Sequence, residues 1–188
     1  PYKGFYELKA EKRGTVSAAT VLLALYLITA LLGATLSGFL YSGGEQSPLV
    51  TLGAVLFPIA LFVVANWCIT TLMEGEGRMA DIYRAVCYSL VPMILGQVLL
   101  LVLSNVLTLE ESSVYNVIQY GLWIYTAYLL LAGNMQAHGF TMGRTAAAAL
   151  VTLLAMAVMV FLLYLFFNLL FEVAGFGAQI YQEIVFRV

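Results

Sequence analysis

Charge is what this chain has least of. Only 10% of its 188 residues are Asp, Glu, Lys or Arg, against about 25% in soluble domains, which excludes a water-facing globular surface. Cysteine is nearly as scarce. Cys68 and Cys87 alone cannot form a disulfide framework, and both are read as free thiols. One histidine, His138, leaves no HExxH or paired-cysteine zinc motif. No block of Lys or Arg offers a footprint for nucleic acid, so that partner is not expected. The stretch Gly75-Glu76-Gly77-Arg78 lacks the spacing and the GK[ST] ending of a phosphate loop and reads as a turn. No cleavable leader is expected either, because the first apolar run begins at Val16 and exceeds the ~7–15 residues of a signal-peptide core.

What the chain has is oil. It is 63% hydrophobic with a mean hydropathy of +0.97, and its apolar residues fall into five runs, roughly 16–41, 49–73, 86–109, 114–137 and 146–171. Each reaches the ~20 residues that cross ~30 Å of hydrocarbon. The expected fold is all-α: a single polytopic membrane domain over residues 1–188 with five transmembrane helices. Two shorter helices flank it. Tyr2, Phe5, Tyr6 and Lys9 share a stripe at helical spacing, with Glu7 and Glu11 opposite, as in a helix lying along the bilayer surface. The tail from Phe176 to Val188 mixes Ile180, Tyr181, Ile184 and Val185 with Gln182, Glu183 and Arg187, and reads as a second, amphipathic one.

Basic residues set the orientation. Lys3, Lys9, Lys12 and Arg13 precede the first run, Arg78 and Arg84 lie between the second and third, and Arg144 precedes the fifth, seven of the eight in all. The loops at 42–48 and 110–113 carry Glu45, Glu110 and Glu111 but no Lys or Arg. The positive-inside rule then places the N-terminus in the cytoplasm and, after five crossings, the C-terminus outside. Ala30, Ala34 and Gly38 recur every four residues, a flat strip for close backbone approach, either within the bundle or in a homo-oligomer. Pro58 and Pro92 each remove a backbone hydrogen bond from an apolar run and shape the helices there.

Polar chemistry concentrates between Asn66 and Pro92. Asp81, Arg84 and Tyr88 follow at i, i+3 and i+7 on one helix face, which suits a salt bridge and cap. The functional alternative has Arg78 and Arg84 holding a lipid phosphate in a pocket lined by Tyr83 and Tyr88. Glu7, Glu11, Asp81 and His138 fall at similar depth on the cytoplasmic side, and a mixed carboxylate and imidazole site would draw on them. A solvated helix face and a backbone-bonded imidazole explain the same four residues, so no catalytic residue, metal or cofactor is assigned. Asn66, Gln97, Asn105, Gln119, Asn134 and Asn168 are amides within or at the edges of the runs. They fit interhelical contacts worth ~0.6–2 kcal/mol each. A proton-coupled carrier needs a carboxylate deep in a span, and none lies there.

Several of these pieces together resemble one family. Phe5-Tyr6-Glu7-Leu8-Lys9 with Glu11-Lys12-Arg13-Gly14, Asn66-Trp67, the Gly-Glu-Gly-Arg turn ahead of Asp81-Ile82-Tyr83, Tyr88-Ser89-Leu90-Val91-Pro92 and His138-Gly139-Phe140 are similar to the YIP (Ypt/Rab-interacting protein) domain family, more to its bacterial branch. That resemblance implies five spans with a cytosolic N-terminus and, for eukaryotic members, work with Rab-type GTPases in vesicle traffic. The chain has no long cytosolic N-terminal region like theirs, which weighs against GTPase binding. The expected function is a non-enzymatic membrane scaffold or accessory protein, associated with trafficking or a transporter, binding a membrane partner or lipid headgroups at its cytoplasmic face. Glu7, Glu11, Arg78, Asp81, Tyr83, Arg84, Tyr88 and His138 are its candidate contacts. A channel or transporter is the alternative, and a membrane-embedded metal-dependent hydrolase using Glu7, Glu11, Asp81 and His138 a second.

Overall fold

The computed structural model describes residues 4–7, 14–38 and 47–186, and every regular element among them is helical. Residues 4–7 form a helical turn. Six longer helices follow: α1 (Val16–Leu36), α2 (Pro48–Leu72), α3 (Met79–Ser89), α4 (Val91–Val106), α5 (Ser112–His138) and α6 (Met142–Phe186). Local chemistry sets their ends. Thr15 caps α1 by accepting from the Ala18 N–H at 3.1 Å, and Pro48, whose missing N–H costs nothing in a first turn, opens α2. α5 stops where Gly139 takes a left-handed conformation (φ 68°).

Among the described residues, four helical stretches are long and apolar enough to cross a membrane: Val16–Leu36, Pro48–Leu72, Met79–Val106 and Met142–Glu183. The sequence led us to expect five. The difference is α5, which is 27 residues long but carries Tyr115, Asn116, Gln119, Tyr120, Tyr125 and Tyr128 among its aliphatic residues. The third crossing starts at Met79 rather than near residue 86 and is made of two helices. Leu90 interrupts it, and Pro92, which has no N–H to give back to the preceding turn, sits in the first turn of α4. The tail does not form a separate amphipathic helix. α6 runs unbroken for 45 residues, through Gly175 and Gly177, and from residue 160 onward every described side chain on it is exposed.

The bundle packs α1 on α4, α2 on α6, and α3 on α5. Small polar side chains form rungs between them. Thr29 donates to Gln97 Oε1 at 2.7 Å and joins α1 to α4. Farther along the same seam the Gly38 N–H donates to Ser104 Oγ (3.1 Å), and Asn105 Nδ2 donates to the Leu36 carbonyl (3.2 Å) left open at the end of α1. Asn66 Nδ2 reaches Thr152 Oγ1 at 3.3 Å and ties α2 to α6. Gly38 shows where the small-residue strip of α1 is used: a Cβ there would lie 2.1 Å from the Ser104 carbonyl oxygen. That part of the strip is buried against α4 within the chain.

Val63, Ile82 and Val86 form one core cluster and Phe5, Leu129 and Ala132 another. The second corrects the amphipathic reading of the N-terminal stripe. Phe5 is buried and wedges into the gap left by Gly133 of α5, where a Cβ would meet its ring at 3.1 Å. Tyr6 on the same turn is exposed. Tyr2 and Lys9, the other members of the stripe, lie outside the described residues.

Candidate functional site

The end of α2, the start of α3, the end of α5 and the start of α6 meet at one face of the bundle. The turn at residues 73–78 closes α2: the Gly75 N–H reaches back to the Thr70 carbonyl at 2.8 Å while Glu74 takes a left-handed conformation (φ 57°). Gly75 and Gly77 then pass directly under the imidazole of His138. A Cβ on either would lie 2.7 Å from that ring. His138 is buried and stacks on Phe140 with centroids 5.4 Å apart. The Arg144 guanidinium also lies over Phe140, 4.3 Å from the ring centroid. Arg144 also donates to the Met73 carbonyl, so α6 is fastened to the last residue of the α2 end.

Asp81 and Arg84 form a second brace. The Arg78 backbone N–H donates to Asp81 Oδ2 at 3.0 Å, which caps α3, and Asp81 Oδ1 pairs with Arg84. The rest of the Arg84 fork is engaged as well: Nε donates to the Ala80 carbonyl (3.2 Å) and Nη1 to the Gly14 carbonyl (2.8 Å) just ahead of α1. Arg84 thus holds the entry of α1 to the first turns of α3. Three acceptors in different directions suit a planar guanidinium and not a single ammonium. Arg84→Lys is therefore expected to cost about 1–2 kcal/mol, read as a lower unfolding midpoint in detergent, with Arg84→Met no worse by more than about 1 kcal/mol.

The remaining sequence candidates divide. The Tyr83 hydroxyl shares a hydrogen bond with Thr20 Oγ1 at 3.1 Å and joins α3 to α1. Tyr88 is half-buried and packs against the Phe5 cluster. Arg84 is turned to Gly14 and Asp81. Arg78 is exposed beyond its cap and Glu7 is half-buried. Glu11 lies outside the described residues. Among the described residues, no three His, Cys, Asp or Glu side chains come close enough to hold a metal ion together. The four-residue site imagined for a hydrolase is thus not assembled from those of its members that are described. Sequence reasoning missed Phe140 as the partner of His138, and Arg144 as the partner of Phe140. The signal was present in His138-Gly139-Phe140 and in glycines at 75 and 77, spaced so that both clear one ring.

The profile of the Yip1 domain matches residues 1–179. The chain belongs to the Yip1 domain family. Family membership and the four membrane-length helices together make it a multi-pass integral membrane protein. No curated protein and no solved structure matches it. The Yip1 match spans both braces, so the turn at residues 73–78 and the His138 stack lie within the family domain.

Proposed function

We propose that this Yip1 domain protein, of the bacterial type, is a non-enzymatic scaffold or accessory subunit that binds a membrane partner or lipid headgroups through the face carrying the turn at residues 73–78. One observation carries the reading. The polar side chains described at that face brace one helix end to another, as Arg84 does to Gly14 and Arg144 to Met73. A fixed platform results, with Arg78, Met79 and Met142 exposed on it beside Glu74 and Glu76. A guanidinium beside apolar side chains suits a lipid phosphate or an acidic, partly apolar protein surface. The test is purification in mild detergent with and without Arg78→Gln. The wild type is expected to bring down a membrane protein or an anionic lipid that the variant loses. Repeated recovery of the bare chain, without retained lipid, would overturn the reading.

The same proposal places this face and the N-terminus in the cytoplasm, has α5 cross as the fourth of five spans, and leaves the C-terminus outside. In support, α5 links the end near Val106 to the face where His138 meets Gly75 and Gly77. At ~1.5 Å per residue its length is about 40 Å, enough for ~30 Å of hydrocarbon. Single cysteines introduced by Glu76→Cys, Ser113→Cys and Thr141→Cys are expected to divide. Residues 76 and 141 react with an impermeant maleimide from the cytoplasmic side, and residue 113 from the other. Residues 113 and 141 labelling together would remove the crossing by α5.

A further inference from the structure

α6 meets its own bundle along one side only. Thr145, Ala148 and Thr152 are buried there, and Thr152 accepts from Asn66 of α2. The opposite side carries a heptad pattern. Leu154, Phe161, Asn168 and Gly175 recur every seven residues, and Ala157, Tyr164 and Phe171 follow the first three of them by three. All of these are exposed. At ~100° per residue they share a seam that points away from Thr152. Apolar residues at this spacing are what one helix presents to a second in left-handed pairing.

Two features of the seam go beyond what lipid asks of a helix. The first is Asn168. One N–H of its exposed amide donates to the Tyr164 carbonyl at 2.9 Å, and the group keeps an oxygen to accept with and a second N–H to donate. An asparagine at one heptad position sets the register of a parallel helix pair, because the amide is complementary to itself. The second feature is length. Phe171 lies about 44 Å along the helix from Met142. Even leaned at about 40°, that distance outruns the ~30 Å that hydrocarbon covers.

The partner that fits is the chain itself. Insertion gives every copy the same direction across the bilayer, so two copies meet in parallel about a twofold axis and each residue of the seam faces its own equivalent. An axis on the Thr152 side is blocked by α2, which packs there, whereas one on the seam side leaves the two bundles on opposite flanks. The area is sufficient. Leu154, Phe161, Tyr164 and Phe171 are 58–75% exposed. At ~200 Å² for a large side chain they offer roughly 500 Å² per copy, or roughly 1,000 Å² per pair, where specific interfaces begin.

We propose that the outward seam of α6, from Leu154 to Gly175, binds the same seam of a second copy in a parallel homodimer, registered by Asn168 against Asn168 of that copy. The dimer is separate from the turn face and does not rest on the function proposed for it. It also uses a different helix from the small-residue strip of α1.

The full chain carrying Cys68→Ala and Cys87→Ala supplies the background for single cysteines, oxidised in native membranes. Phe161→Cys and Gly175→Cys are expected to form disulfide-linked dimers, while Leu163→Cys and Leu170→Cys, on the Thr152 side of the same helix, are not. If Phe161→Cys itself weakens the seam, Gly175→Cys still decides. Energy transfer between labelled copies in liposomes, followed as protein is diluted into lipid, gives the dissociation constant. Asn168→Leu should raise it about three- to tenfold, and Leu163→Ala should leave it unchanged. Equal cross-linking on both sides of α6 or a linked product of any mass other than twice the chain's would overturn the proposal. So would energy transfer no greater than that of randomly scattered copies, or an unchanged dissociation constant in Asn168→Leu.

Discussion

Gly38→Ala is expected to destabilise the bundle by about 3 kcal/mol or more, a fall of about 6–12 °C in the unfolding midpoint for a chain of this size. The reason is an approach between backbones. The added Cβ would lie 2.1 Å from the Ser104 carbonyl oxygen and 3.0 Å from its carbon, and a peptide group in a helix cannot swing aside as a side-chain tip can. The seam would have to open, weakening the bonds from the Gly38 N–H to Ser104 and from Asn105 to Leu36. Gly33→Ala supplies the control five residues earlier, within α1, because a Cβ there meets nothing within 4 Å. That change should be neutral or stabilise by up to about 1 kcal/mol through helix propensity. Both are read by thermal unfolding in one detergent, with reactivity of the buried thiol of Cys87 as the probe in a Cys68→Ala background. Equal midpoints for the two variants would refute the packing described for α1 and α4.

The second large effect is expected at the opposite face. In Gly77→Ala the new methyl would sit 2.7 Å from the His138 ring and 2.9 Å from the Ala137 carbonyl oxygen. His138 is itself held by the stack on Phe140, a ring that Arg144 also packs against, so moving the imidazole disturbs that stack. A loss of about 2–3 kcal/mol follows. A companion change, His138→Ala, separates the steric cause from any other: with the ring removed, Gly77→Ala should cost clearly less than in the wild type, a non-additivity of about 1 kcal/mol or more. Additive effects of the two changes would mean that the imidazole does not set the turn.

What was legible in the sequence was whatever depends on one stretch at a time. Apolar runs longer than a bilayer is thick give themselves away, and so do the i, i+3 pairing of Asp81 with Arg84 and the break ahead of Pro92. What depends on a neighbour was not. Phe5 looked like a surface residue because its pocket is made by the absence of a side chain at Gly133, far along the chain. Arg84 looked available for a phosphate because nothing local shows that the Gly14 carbonyl lies within reach of its fork. α6 was divided at residue 171 on the strength of the mixed polar and apolar residues from Phe176 on, and even mid-helix Gly175 and Gly177 cost only about 1 kcal/mol each against alanine. Propensity alone therefore does not stop the helix.

The uninterrupted α6 has a mechanical consequence. From Met142 to Glu183 it spans 42 residues and measures about 63 Å. Leaned at about 40°, the upper end of tilts found in bilayers, it would still climb about 48 Å through a hydrocarbon slab of ~30 Å. No setting of the bundle hides the whole rod. One end stands in or above the headgroups as a greasy mast, and its exposed Phe171, Phe176 and Tyr181 must be wetted there by lipid drawn up around them, by folding down onto the surface, or by another protein's skin.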